Sequence, residues 1–149
     1  MTEPERPTAG GLSDVLTEIM LRLPTSTAAE MALVGALCWG SPVALQAARA
    51  TDPDQWSDTN LAHIARTCLQ IADRDRTPDP ITVKAVLEAA DAIAPVGGWG
   101  LLIVECLACC TVPAAAPGWA DLIRKTAQTR DTATKAVRAL QAAWEGETM

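Results

Sequence analysis

The sequence contains neither phenylalanine nor tyrosine, which leaves five tryptophans and a single histidine as its aromatic side chains. Strands draw on Tyr, Phe and runs of Val, Ile and Thr, and the β-branched clusters here are short and broken by Ala or Leu. A sheet is thereby excluded. The hydrophobic 49% of the chain, carried by Ala, Leu, Val and Ile, is instead a helix-forming palette, and the fold class that follows is all-α.

Positive charge is also in short supply. Twelve Lys and Arg face 18 Asp and Glu, giving a net charge of −6 and a pI near 4.7. Binding to a phosphate backbone depends on cations that release its counterions, so direct contact with nucleic acid is not expected. The imbalance lies in residues 1–117, with 7 basic and 14 acidic side chains, while 118–149 carry 5 and 4.

No apolar run approaches the roughly 20 residues that span a bilayer. The opening "MTEPERPTAGG" is acidic and polar, without the basic and apolar regions of a signal peptide. A cytoplasmic protein with no membrane contact is therefore expected. Five cysteines, an odd number without an export signal, fit a reducing compartment in which thiols stay free. At 149 residues one domain can bury a core without disulfides.

Catalytic signatures are missing in turn. No Gly-x-x-x-x-Gly-Lys-Ser/Thr loop cradles a nucleotide's phosphates, and neither Gly-x-Ser-x-Gly nor His-Glu-x-x-His occurs. His63 has no nucleophile partner and reads as partly exposed and non-catalytic. The chain is expected to be no enzyme on its own and to need no cofactor.

Two stretches invite a metal. "VECLACCTVP" places Cys106, Cys109 and Cys110 within five positions, but a structural zinc wants four ligands, usually as two separated pairs. A redox Cys-x-x-Cys sits at a helix N-terminus, where the dipole lowers a thiol pKa, and this one lies near a C-terminal end. Core filling is the reading that remains, with at most one of these sulfurs in solvent. "DRDRTPD" aligns Asp73, Asp75 and Asp79, yet the calcium-loop positions for Gly and the terminal Glu hold Pro78 and Lys84.

Periodicity divides the chain. Residues 1–11, rich in Pro, Gly and Glu, read as a disordered leader. Leu12, Val15, Leu16, Ile19 and Leu23 form the stripe of a short amphipathic arm over 12–23, which Pro24 ends. Thr27 and Glu30 stand in capping-box spacing before a nearly all-apolar, and therefore central, helix. Ser41-Pro42 restarts a helix that runs to about Ala50.

After the acidic loop "TDPDQWSDTN", Leu61, Ile64, Ala65, Cys68, Ile71 and Ala72 share one helical face. Asp79-Pro80 begins another helix, with Ile81, Val83, Val86, Leu87, Ala90 and Ile93 expected to be buried; Pro95 and Gly97-Gly98 stop it. A helix over 99–111 is apolar all round except Glu105, and Pro113 and Pro117 punctuate the link that follows. A head over 12–116 and a long helix over 117–146 complete the expected organisation.

Along that last helix Trp119, Ile123, Thr126, Arg130, Ala133, Val137, Leu140 and Trp144 recur at alternating intervals of four and three, the spacing of a coiled-coil seam. Its ends are large and apolar and its middle polar or small. These eight residues are the candidate interaction site, and self-association into a dimer or higher oligomer is expected through them.

Several motifs then fall into one order. Pro24 followed by Ala29-Glu30-Met-Ala-Leu33-Val34-Gly35, Asp54-Gln55-Trp56 with Asn60, and Asp79-Pro-Ile-Thr82-Val83 with Leu87 come first. Gly97-Gly98-Trp-Gly-Leu101-Leu102, Val112-Pro113-Ala-Ala115-Ala116, and Trp119-Ala120-Asp-Leu122-Ile123 with Arg130 follow. Over residues 24–140 the sequence resembles the N-terminal domain of DnaB-type replicative DNA helicases.

The resemblance implies an all-helical head followed by a helical hairpin, which in that family builds the collar of a hexameric helicase and docks the C-terminal domain of primase. Replicative helicase and primase are the partners so implied. The chain reaches Met149 just after the first hairpin helix, so the second hairpin helix, the linker and the RecA-like motor are expected to be missing. An excised or degenerate helicase domain, a free-standing regulator of helicase or primase, and a structural helical protein outside replication all stay open at this point.

Overall fold

A computed structural model describes residues 9–90 and 93–147. Its elements are α1 (Ala9–Leu21), α2 (Thr27–Cys38), α3 (Pro42–Arg49), α4 (Thr59–Asp73), α5 (Pro80–Ala89), α6 (Gly98–Cys109) and α7 (Ala116–Glu147). Single 3-10 turns at Pro53–Gln55 and Pro113–Ala115 interrupt the connections. The architecture is all-α, as the composition predicts, and no strand occurs among the described residues. No single helix among them is long and apolar enough to cross a membrane.

Backbone packing separates two units. Residues 26–127 form one, the head, and the segment up to Thr25 joins the segment from Gln128 onward in the other. The arm was expected within a head of 12–116, and the expected leader of 1–11 also changes: α1 begins at Ala9, while residues 1–8 lie outside the described residues.

The head is built around α2, which packs against α3, α4 and α6 and buries Ala32, Leu33, Val34, Gly35, Ala36, Leu37 and Cys38 in succession. A helix apolar on every side can sit nowhere but the centre. Around it, α4 contributes Leu61, Ile64, Ala65, Cys68 and Ile71, and α6 contributes Trp99, Ile103 and Cys106. The closest approach comes at Gly35, where a Cβ would stand 2.3 Å from the Cys106 carbonyl oxygen.

Start signals behave chemically as their residue types allow. The Ser41 hydroxyl accepts the Ala44 amide, and the Asp58 carboxylate accepts the amides of Asn60 and Leu61 at 2.8 and 3.1 Å. Asp79 accepts the Thr82 hydroxyl at 2.6 Å and the Thr82 amide at 2.9 Å. Those hydrogen bonds hold its carboxyl below the ordinary carboxylate pKa. The cap is therefore intact above about pH 4, the unfolded carboxylate value, and is lost as pH falls through the lower folded value. Asp79→Asn should flatten the acid limb of a stability-versus-pH curve measured by urea unfolding.

The capping box expected at Thr27 and Glu30 is replaced by a different arrangement. Ser26 is the N-cap of α2, which puts Glu30 one position too far along for the box. The Glu30 side chain is fully buried and reaches across the head instead. It accepts the Ser26 hydroxyl at 2.7 Å, the Ser57 hydroxyl, and the Asp58 amide at 3.0 Å. One carboxyl group thereby ties the start of α2 to the turn that begins α4.

On α5, Val83 and Leu87 are buried as anticipated, but Ile81 and Ile93 are 82% and 92% exposed, Val86 is 40% exposed and Ala90 faces solvent. The helix ends at Ala89, so Ile93 falls beyond its last turn, and a helix at the rim of the head buries only one narrow stripe. The expected helix over 99–111 likewise stops at Cys109.

All five cysteines are free, with Cys38, Cys68 and Cys106 buried, Cys110 half-buried and Cys109 exposed. A hydrogen bond with the Cys38 thiol, together with burial, raises the Cys68 pKa well above its ordinary value, and burial pushes the Cys106 thiol up to about 12. At pH 8 only about one Cys106 in ten thousand would be thiolate. In the native protein iodoacetamide should modify Cys109 at least about tenfold faster than Cys38, Cys68 or Cys106, as read by peptide mass mapping. Equal rates would overturn the buried-thiol assignment.

Candidate interaction surface

The eight seam residues do not share one environment. Ile123 is fully buried in the hydrophobic core of the head, and Trp119 packs against that core half-buried. These two, expected as the apolar head of a partner-binding seam, are spent on the fold of residues 26–127. α7 follows the 3-10 turn at Pro113–Ala115 and enters the head with Ala116, Ala120 and Ile123 on one face, all three at 1% exposure or less. Thr126, the last seam position within the head, is half-buried.

The remainder of the seam belongs to the second unit. Arg130, Ala133, Val137 and Trp144 are half-buried and Leu140 is 51% exposed. Within the same unit α1 buries Leu16 and half-buries Leu12, and Leu23, two residues past the end of α1, is half-buried as well. The Arg130 guanidinium donates to the Pro24 carbonyl at 3.3 Å. A polar seam position is thus satisfied by the chain's own segment, at a carbonyl just past the end of α1.

What this pairing leaves open is an apolar groove of about 370 Å³ lined by Val15, Ile19, Leu23 and Pro24 on one side and Ala133 on the other. Val15 and Ile19 are 52% and 43% exposed. Glu18 and Arg22 stand at its rim and pair with each other at 2.7 Å. Both are well solvated, so the pair contributes little stability and serves mainly to keep the rim polar. The small Ala133 side chain is what makes the groove a depression, since a larger residue would fill it.

Sequence reasoning singled out α7 and passed over α1 as part of the same surface. The signal was present in the spacing of Leu12, Leu16 and Leu23, but which element that stripe would meet is a long-range fact that periodicity does not encode. Among the described residues, no three His, Cys, Asp or Glu side chains converge as a metal site requires.

A sequence model of the DnaB-like helicase N terminal domain matches residues 22–125, more than half of the 149. The chain belongs to that family. Among solved structures it is similar to the N-terminal domain of DnaB helicase from Mycobacterium tuberculosis, with a TM-score of 0.75 and 19% identity, over 83% of this chain and 88% of that one. At such identity the likeness speaks for the fold, and the fold agrees with the sequence match. No curated protein sequence matches the chain.

Seen as a DnaB-like helicase N-terminal domain, the chain shows why its motif residues stand where they do. The Glu of Ala29-Glu30 is the buried tie between α2 and the start of α4, and Gly35 is the crossing point of α2 and α6. Asp79 and Thr82 form the cap of α5. Trp56 is buried with its indole N–H on the Thr51 hydroxyl at 3.0 Å, which in turn donates to the Ala48 carbonyl. These motif residues thus build the head rather than an exposed recognition surface.

Proposed function

We propose that the chain is a non-catalytic protein-interaction domain of DNA replication, acting in the cytoplasm, which self-associates and contacts replicative helicase or primase. The observation that carries this reading is the second unit, where Val15 and Ile19 stand exposed along an apolar groove and the distal part of α7 also leaves Leu140 exposed. Large apolar side chains clustered this way mark a contact surface more often than a solvated one. Family membership supports the replication context, and the acidic balance supports protein partners over nucleic acid.

Light scattering tests the self-association. Leu140 is half in solvent, so Leu140→Asp leaves the fold intact while placing a charge on the contact face. Losing a buried Leu weakens association by about tenfold or more. A folded Leu140→Asp variant with the mass of the unaltered protein would remove this face as the self-association surface. Immobilised protein should also retain helicase or primase, and loss of that retention in the same variant would place both contacts on one surface.

A further inference from the structure

Val15, Glu18, Ile19 and Arg22 recur at intervals of three and four, so they share one helical face. Arg22, the first residue past α1, continues its last turn with an amide that donates to the Glu18 carbonyl at 3.2 Å. All four line the groove that opens over Ala133, together with Leu23 and Pro24. On the α1 side the lining thus runs from Val15 to Pro24 and is centred close to Met20. Apolar side chains occupy its middle, and one exposed charge of each sign stands at its rim.

A two-fold axis set across α1 at the level of Met20 exchanges positions 18 and 22. Glu18 of one copy then meets the partner's Arg22, and its Arg22 meets the partner's Glu18, so the surface is complementary to itself. The same operation lays groove on groove, because both the charges and the lining are centred at one level. Ile19, one residue from the axis, then faces the depression over the partner's Ala133. An isolated exposed pair contributes little, but here two pairs that already close within each helix join as four alternating charges. A foreign helix would have to supply both signs at this spacing, whereas a second copy brings them. Val15, Glu18, Ile19 and Ala133 all lie outside residues 22–125, the stretch matched to the family.

We propose that this groove is covered by a second copy of the chain, with the two α1 helices antiparallel, Ile19 of each seated in the other's groove and Glu18 of each paired with the partner's Arg22. The pairing rests on the self-association reading above and gives it a geometry. Seven residues line the groove, against roughly 20–30 a side in a standard interface, so the dissociation constant should fall in about the 10–100 micromolar range.

Sedimentation velocity of the full chain in low salt, taken to about 1 mM, measures the association. Glu18→Arg and Arg22→Glu each place like charges at both contacts and should weaken it at least about tenfold. An equimolar mixture of the two variants should regain the affinity of the unaltered chain to within about threefold, since every contact is then between opposite charges. Loss of helix in either variant cannot produce that rescue, because mixing repairs no fold. Ala133→Leu fills the depression and changes no charge; it should also weaken association about tenfold, with helical circular dichroism unchanged. A chain that stays monomeric to about 1 mM overturns both the self-association reading and this pairing. Association that neither reversal weakens, that mixing fails to restore, or that Ala133→Leu leaves as it was overturns the pairing and leaves self-association standing.

Discussion

Replacing Glu30 by Ala is expected to destabilise the head by roughly 3 kcal/mol, one of the largest effects of any single substitution in this chain. The carboxyl group is fully enclosed and accepts from Ser26, Ser57 and the Asp58 amide. Alanine leaves those three donors without an acceptor and opens a cavity beside the start of α2. Removing one partner from a buried polar cluster costs more than the cluster is worth, because the remaining groups stay desolvated. Glu30→Gln discriminates the polar effect from the packing effect. Its amide oxygen can still accept the Asp58 N–H, and its NH₂ can donate to the two hydroxyls, which accept as well as donate. The glutamine variant should therefore lose only about 1 kcal/mol. Urea unfolding followed by helical circular dichroism reads both; a loss for Glu30→Ala no greater than for Glu30→Gln would show that the tie across the head contributes nothing.

The Glu30 case also shows how far local patterns reach. Its motif was legible, with Ala29-Glu30 and Gly35 in place, and so was the centrality of the helix, because an all-apolar run has only one place to go. The capping box was the wrong mechanism. Side chains at Thr27 and Glu30 have the required spacing, but the helix starts one residue earlier, and the donors that claim Glu30 come from Ser57 and Asp58. Capping rules describe only groups within one turn, and they are silent about a loop that arrives from elsewhere in the fold.

The candidate surface was legible to a similar degree. The heptad spacing of α7 draws a single stripe, yet its positions serve two purposes along the helix. Ile123 closes the head, and Arg130 reaches the Pro24 carbonyl within the second unit. Nothing in the spacing distinguishes an apolar position that meets its own domain from one left for a partner. On α5 the same ambiguity ran the other way, with Ile81 and Ile93 apolar but exposed. An apolar residue on the surface is ordinary, so its type alone does not predict burial. The cysteines were read more securely, since a small, weakly polar side chain in an apolar run has a strong tendency to the interior, and Cys38, Cys68 and Cys106 are there.

Gly35 yields the second large effect, and its sign makes it diagnostic. Glycine within a helix is about 1 kcal/mol less favourable than alanine, so Gly→Ala normally stabilises. At Gly35 the added Cβ would lie 2.3 Å from the Cys106 carbonyl oxygen and 2.8 Å from the Cys110 Cβ. The first of these is backbone of α6, which cannot turn aside as a side chain can. The two helices must separate, and the buried residues along their crossing lose contact with one another. Gly35→Ala should therefore cost about 2 kcal/mol net of its propensity gain, and Gly35→Val about 3 kcal/mol or more. Gly118, in the first turns of α7 with nothing within 4 Å of its Cβ position, provides the opposite case. Gly118→Ala should stabilise by about 0.5 kcal/mol, since only the helix propensity changes. The pair of unfolding midpoints is the measurement. If both alanines shift stability in the same direction, the close crossing of α2 and α6 at Gly35 is not what holds the head together.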